Sequence, residues 1–290
     1  MASGMDITVG FIGIGTMGSM LIEAFLRAGT FLPEQVFIHN RTPQKALAMA
    51  QKYPGITVTS SNQDIARQTD WLFLCVKPLE FQPLLDEISP HLQPSQTVVV
   101  IASPVQLRHL EERIPCKLIK FIPSLTNLSC SGACLLTFHP SISAEERARW
   151  NQLFSAIGTP VEISESHTRI ASDLSSCGPA FLSLILAKMV EAATEETGLP
   201  RLLAEMLVIH MLNGTAQLLL QEGLSLQEIQ RRIAVPGGIT QQGLDLLSDQ
   251  LGGVFHRLFQ TTQAKYAEDI RHMEAAFSRR TSDDGLFPPP

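Results

Sequence analysis

Val9-Gly10-Phe11-Ile12-Gly13-Ile14-Gly15-Thr16-Met17-Gly18 decides the fold: a short apolar run breaks into G-x-G-x-x-G and continues as the helix-like stretch Ser19-Met20-Leu21-Ile22-Glu23-Ala24-Phe25-Leu26. That order, strand then tight turn then helix N-terminus, is the arrangement that receives a pyrophosphate. Gly13 permits the turn, Gly15 lets the backbone approach the phosphates, and Gly18 allows the helix to pack closely on the strand. Thr16 and Met17 fall in the first helical turn, where unpaired amides and the helix dipole favour negative charge. These residues are therefore expected to bind a dinucleotide.

A second strand, residues 36–39, ends about 20 residues further on, where such a fingerprint reads the ribose. The chain there is Asn40-Arg41-Thr42 rather than a carboxylate. Arg41 can form a charge-assisted fork with a 2′-phosphate, and Asn40 and Thr42 add neutral donors, so NADP(H) is favoured over NAD(H). In the plainer alternative, Arg41 is a solvated charge and Thr42 caps a helix beginning near Pro43.

Outward from this motif, strand and helix patterns alternate. Helical stretches are expected at 45–52, 62–68, 79–91 and 105–113, and strands at 56–59, 71–76, 97–102, 117–122 and 133–138. The run Trp71-Leu72-Phe73-Leu74-Cys75-Val76 is apolar throughout, as in a parallel strand buried on both faces. Alternation of this kind implies α/β architecture with a doubly wound Rossmann sheet, whose ligand crevice lies at the carboxyl ends of the strands. Val76-Lys77-Pro78, Ala102-Ser103-Pro104 and Pro123-Ser124-Leu125-Thr126-Asn127 mark those ends and are expected to line one cleft. Each is also compatible with a plain turn whose proline fixes the exit.

From about Thr168 onward strands give way to long helical patterns at 170–197, 201–222, 225–233, 240–248 and 253–279. The segment Phe181-Leu182-Ser183-Leu184-Ile185-Leu186-Ala187 is apolar nearly all round, which implies burial in a bundle or across a subunit contact. The expected organisation is an NADP-binding domain over 1–164, an all-α dimerisation and substrate domain over 165–279, and a disordered tail over 280–290 ending in three prolines.

With 290 residues, 44% of them apolar and 17% charged, the chain can build two modest cores. The net charge of −6 and the lack of a basic cluster argue against nucleic acid. No basic-then-apolar leader opens the chain and no uninterrupted apolar run reaches about 18 residues, so a cytoplasmic, non-membrane protein is expected. The five cysteines are scattered and read as reduced thiols. Cys130, Cys134 and His139 match no zinc spacing, so no metal is expected.

Leu174-Ser175-Ser176-Cys177-Gly178-Pro179-Ala180-Phe181 and Ala234-Val235-Pro236-Gly237-Gly238-Ile239-Thr240, with the glycine fingerprint, Val76-Lys77-Pro78 and the Pro123 loop, resemble the pyrroline-5-carboxylate reductase family over nearly the whole chain. Within it, Phe73 to Leu79 and Ser175 to Phe181 resemble the reductase-like proteins encoded beside late competence genes in spore-forming bacteria. The resemblance implies NADPH-dependent reduction of 1-pyrroline-5-carboxylate to L-proline by a homodimer or larger homo-oligomer joined through the helical domain.

It assigns Gly238, Ile239 and Thr240 to the substrate carboxylate, which fits amides at a helix start. Thr240, which could also serve as a helix cap, and Lys77 near the cofactor become the catalytic candidates. Cys177, Gly178 and Pro179 become the helix break that meets the substrate, with Ser124 beside them. Several positions depart from the family pattern. Its P-N-T-P loop reads Pro123-Ser124-Leu125-Thr126 here, Val235 replaces a serine, and Arg231 stands where an aspartate is common. A catalytically weak NADP-binding paralogue with a regulatory role, for example in competence or sporulation, is therefore the alternative. A β-hydroxyacid dehydrogenase would need a lysine four residues after Gly178, where this chain has Leu182.

Overall fold

The structure, a computed structural model, describes residues 7–278. The proline-rich end expected to be a disordered tail lies outside them. The chain divides into two compact units, one running to Cys177 and resuming at Thr262, the other Gly178–Thr261.

The first unit is built on an eight-stranded sheet in the order β3-β2-β1-β4-β5-β6-β7-β8. Its strands are β1 (Val9–Ile12), β2 (Val36–His39), β3 (Thr57–Val58), β4 (Trp71–Leu74), β5 (Thr97–Val100), β6 (Lys117–Ile122), β7 (Ala133–Phe138) and β8 (Thr159–Glu162). All neighbours pair in parallel except β6 and β7. The order runs outward from β1 to β3 and then restarts at β4 on the other side of β1. The reversal opens a crevice between the carboxyl ends of β1 and β4, where open α/β sheets bind ligands.

Alternate residues of each strand feed opposite faces. Phe11, Phe73, Val99, Ile119 and Phe121 join one apolar cluster. Ile12, Leu72, Leu74, Val98, Val100 and Leu118 join the other. Burial on both faces explains the unbroken apolar runs. Helices α1 (Thr16–Arg27), α2 (Pro43–Lys52), α3 (Asn62–Gln68), α4 (Phe81–Ile88), α5 (Arg108–Glu111), α6 (Ala144–Ser155) and α7 (Thr168–Ser175) complete the unit, with the end of the last helix.

Neither α6 nor β8 is among the elements read from sequence. A signal for α6 was present in Ser143-Ala144-Glu145-Glu146: the Ser143 hydroxyl accepts from the Glu146 amide at 3.2 Å and the Glu146 carboxylate accepts from the Ser143 amide at 3.0 Å.

The other unit comprises α8 (Gly178–Thr197), α9 (Arg201–Leu220), α10 (Leu226–Ile233), α11 (Ile239–Leu251) and the start of α12 (Val254–Ser278). The expected 170–197 helix is thus interrupted between Ser175 and Gly178. Among its residues Leu184, Met189, Leu202, Leu207, Ile209 and Leu246 are exposed apolar side chains.

The first unit takes in α7 and the end of α12: Asp173 of α7 is buried, and Met273 and Phe277 of α12 complete the second sheet cluster. Residues Glu165–Thr197 and Arg201–Leu220 are helical stretches long and apolar enough to cross a membrane, with mean hydropathy 1.5 and 1.3. Isolated polar residues punctuate both, so neither is an uninterrupted apolar run.

Candidate functional site

The glycine loop has three distinct jobs. Gly13 leaves β1 at φ +100°, and a Cβ there would lie 2.7 Å from the Cys75 carbonyl oxygen at the end of β4. Only glycine tolerates both constraints. Its amide donates to the His39 carbonyl at 2.9 Å, and the next amide, of Ile14, donates to Asn40 Oδ1 at 2.8 Å. A Cβ on Gly18 would sit 2.0 Å from the Gly13 carbonyl oxygen, so Gly18 sets how closely α1 approaches the loop.

Gly15 differs from both, since a Cβ on it would meet nothing within 4 Å. It is the N-cap of α1, has no side-chain cap, and no acidic residue follows in the first turn that Thr16, Met17 and Gly18 share. An uncapped 12-residue helix end beside open space suits an anion.

That space is a cleft of about 400 Å³ whose wall includes Gly13, Gly15, Asn40, Arg41, Thr42 and Lys45 on one side and Val76, Lys77, Glu80 and Glu87 on the other. Arg41, Lys45 and Lys77 supply positive charge. The shape and the donor set fit a nucleotide diphosphate with an extra phosphate near Arg41.

Two details revise the sequence picture. Asn40 is a brace as well as a lining residue: besides accepting from Ile14, its Nδ2 donates to the Thr42 carbonyl at 2.9 Å. The ribose end is also not free of carboxylates. Although Asn40-Arg41-Thr42 contains none, the turn Pro78–Glu80 brings Glu80 Oε1 to 2.8 Å from Arg41 Nη1. Thr42 is the N-cap of α2, as the plainer alternative had it, but makes no side-chain cap bond. Cys75 also lines the cleft, and burial pushes its thiol well above the usual range, which leaves it protonated.

Not every expected residue reaches this cleft. Pro78 opens the turn that carries Glu80. Ala102 is buried, and neither it nor Ser103 contributes to the wall. The Ser103 carbonyl instead accepts a 3.0 Å bond from Tyr266 Oη of α12, a residue no local pattern had singled out. Ser124 is buried, and its hydroxyl donates to the Ser175 carbonyl at 3.1 Å while accepting from Thr126 Oγ1 at 2.9 Å. It joins the Pro123 loop to the end of α7.

The loop does retain an amide side chain, Asn127, turned inward. Its Oδ1 accepts from the Ser124 amide at 2.8 Å and its Nδ2 donates to the carbonyls of Ile157 and Ser131 at 3.0 and 3.1 Å. Leu125, 55% exposed, is what the loop presents outward, and it borders a recess shared with Gly15 and Thr16.

Behind the turn after β5 lies a buried polar group of residues. Lys120 of β6 is 1% exposed, and its ammonium donates to Glu165 Oε1 at 3.0 Å. The same oxygen accepts from the Leu107 amide at 3.0 Å. Burial lowers the Lys120 pKa, and the Glu165 carboxylate opposes that shift. Arg169 pairs with Asp173 at 2.8 Å, and its Nη2 lies 3.0 Å from Cys177 Sγ.

In the helical unit, Gly237 takes φ +75° and Gly238 caps α11. Ile239 and Thr240 follow as its first two residues, both exposed. Thr240 therefore stands beyond the cap position, and the simple N-cap alternative for its hydroxyl falls away. Gly178 and Pro179 open α8, whose start follows the break anticipated at Cys177.

Two family models match. Residues 8–104 match a family described as NADP oxidoreductase, coenzyme F420-dependent, and residues 165–269 match pyrroline-5-carboxylate reductase dimerisation. The first agrees with an NADP-type cofactor. ComE operon protein 4 of Bacillus subtilis (strain 168) is 38% identical over 269 residues, covering 93% of this chain and 98% of that protein. Pyrroline-5-carboxylate reductase 3 of the same strain is 29% identical over 259 residues, 89% of this chain and 95% of that one. Among solved structures, pyrroline carboxylate reductase of Plasmodium falciparum with NADP bound superposes with TM-score 0.77 at 25% identity, covering 94% of this chain and 99% of that one.

Proposed function

The chain belongs to the pyrroline-5-carboxylate reductase family, and from that premise we propose that it is an NADPH-dependent imine reductase acting on 1-pyrroline-5-carboxylate to give L-proline. The observation that carries the reading is the uncapped α1 N-terminus at Gly15, open to a cleft that also holds Arg41, Lys45 and Lys77. NADPH would supply the hydride that reduces the C=N carbon.

The protein's part is binding and alignment, because a protonated imine is already electrophilic. The amides of Thr16 and Met17 would hold the pyrophosphate and Arg41 the 2′-phosphate, with Lys77 and Val76 lining the route to the nicotinamide. Amides at Gly238, Ile239 and Thr240 would hold the substrate carboxylate, and the Thr240 hydroxyl, clear of the capping role, would bond the ring nitrogen. Cys177, Gly178 and Pro179 would shape the substrate end. The exposed apolar side chains of the helical unit, matched to a dimerisation family, support a homo-oligomer.

A second reading is favoured by the Pro123 loop, which buries Ser124 and Asn127 and offers Leu125 where polar contact would aid an imino acid. It makes the chain an NADP-binding paralogue of little or no turnover with a regulatory role. Purified protein is assayed for NADPH oxidation with 1-pyrroline-5-carboxylate, and NADPH binding is measured separately by calorimetry. Turnover supports the reductase, binding without turnover replaces it with the second reading, and absence of binding removes both.

A further inference from the structure

The guanidinium of Arg41, the group proposed to hold the 2′-phosphate, is already occupied. Its side chain is 87% exposed and reaches across the mouth of the cleft to Glu80 Oε1 at 2.8 Å. The two partners are not equivalently held. Glu80 is fixed by a main-chain bond, because its Oε2 accepts from the Lys77 amide at 3.3 Å, in the turn that Pro78 starts. Arg41 has no other hydrogen-bond or ion-pair partner among the described residues, so it takes its position from Glu80. Neighbouring Lys45 lines the same wall without pairing to Glu80, and Glu87 accepts a 2.6 Å bond from Asn62.

We propose that Glu80 is a specificity-determining residue for the coenzyme: a 2′-phosphate enters by taking Arg41 from the Glu80 carboxylate, so that uptake is an exchange of one anion for another. The inference rests on the reading of this cleft as an NADPH site. A coenzyme with a free 2′-hydroxyl meets a different situation, since it brings no competing charge and a carboxylate is an acceptor for a ribose hydroxyl. Glu80 thus lowers the preference for NADPH that Arg41 alone would give. Near a surface, a unit charge a few ångströms from a phosphate, screened by physiological salt, changes affinity by about three- to tenfold.

The test uses the full chain and its Glu80→Gln, Arg41→Ala and doubly substituted forms. Glutamine keeps an oxygen for the Lys77 amide and removes the charge. Calorimetric titrations use NADPH and NADH, with 2′,5′-ADP and 5′-AMP as probes of the adenosine end alone.

Glu80→Gln is expected to tighten NADPH and 2′,5′-ADP by about three- to tenfold while NADH and 5′-AMP move less than twofold or weaken. In the Arg41→Ala background the same substitution is expected to change 2′,5′-ADP by less than twofold. Equal tightening of phosphorylated and unphosphorylated ligands overturns the proposal, as does a full-sized gain without Arg41. A chain that binds neither NADPH nor 2′,5′-ADP in any form removes the coenzyme reading itself. That failure is recognised by the silent wild type rather than by an unselective Glu80→Gln.

Discussion

Alanine at Gly15 and at Gly18 separates what the glycine loop does for the fold from what it does for a ligand. At Gly15 the backbone lies at φ −85° and ψ −167°, which alanine adopts freely, and the added Cβ meets nothing within 4 Å. Two small terms act on stability. Reduced freedom of the unfolded chain favours alanine by about 0.4–1 kcal/mol, while alanine is the poorer N-cap by about 0.5–1 kcal/mol. They nearly cancel, so Gly15→Ala should unfold within about 1 kcal/mol of wild type.

At Gly18 the methyl would lie 2.0 Å from a backbone oxygen. The helix must retreat, at about 1–3 kcal/mol or more, a loss of several degrees in Tm. Binding should respond in the opposite order. With the pyrophosphate at the start of α1, as proposed, the Cβ of Gly15→Ala would enter its space and remove one charge-assisted hydrogen bond to it, about 1.5–3 kcal/mol. That corresponds to about 10- to 150-fold in the NADPH Kd. Urea unfolding and calorimetric titration of the same preparations measure both quantities. A stable Gly15→Ala protein that binds NADPH as wild type does would refute the placement of the phosphates at the start of α1.

Three further outcomes are expected. Asn127→Ala removes the partner of the Ser124 amide and of two carbonyls from a fully buried position, and should lower stability by about 3 kcal/mol in urea unfolding; a loss below about 1 kcal/mol would mean that water replaces the amide. Lys120 has a folded-state pKa below its ordinary 10.5, so the unfolded chain binds more protons in the alkaline window just under 10.5. Its contribution to stability then rises with pH across that window, and Lys120→Met should flatten the rise seen in urea midpoints, parallel profiles being the contrary result. Thr240→Ala should leave stability within about 0.5 kcal/mol and NADPH affinity unchanged but reduce kcat by about 10- to 100-fold, with Thr240→Ser restoring much of it; unchanged kcat removes the hydroxyl from the chemistry.

What could be read from the chain beforehand was what is encoded locally. The glycine loop is legible because its constraints act over a few residues: a positive φ at Gly13, a helix contact at Gly18 and an open face at Gly15 all follow from spacing. The strands are legible because burial on both faces writes an unbroken apolar run. The break before α8 shows in Gly178-Pro179. By contrast, the partners of polar side chains are set by tertiary neighbours. Arg41 meets Glu80 across 39 positions through a turn on another strand, and Tyr266 reaches Ser103 from the last helix.

The Pro123 loop illustrates why departures from a family pattern are hard to weigh from sequence. Read as text, Ser124-Leu125-Thr126 loses an amide and a proline and suggests weakened chemistry. In the fold, the Ser124 hydroxyl ties the loop to Ser175 of α7, and Asn127 satisfies three backbone groups of the loop and its neighbours. The loop is thus braced from within by Ser124 and Asn127, while Leu125 is the side chain it exposes. The internal bonds bear on the loop's stability, and the outward Leu125 bears on what reacts beside it. The two can be uncoupled by experiment: Leu125→Thr restores a hydroxyl at an exposed position without disturbing Ser124 or Asn127. Increased turnover of 1-pyrroline-5-carboxylate by that variant would locate the difference from the reductases in this one side chain, and unchanged turnover would direct attention to Val235 and Arg231 in the helical unit.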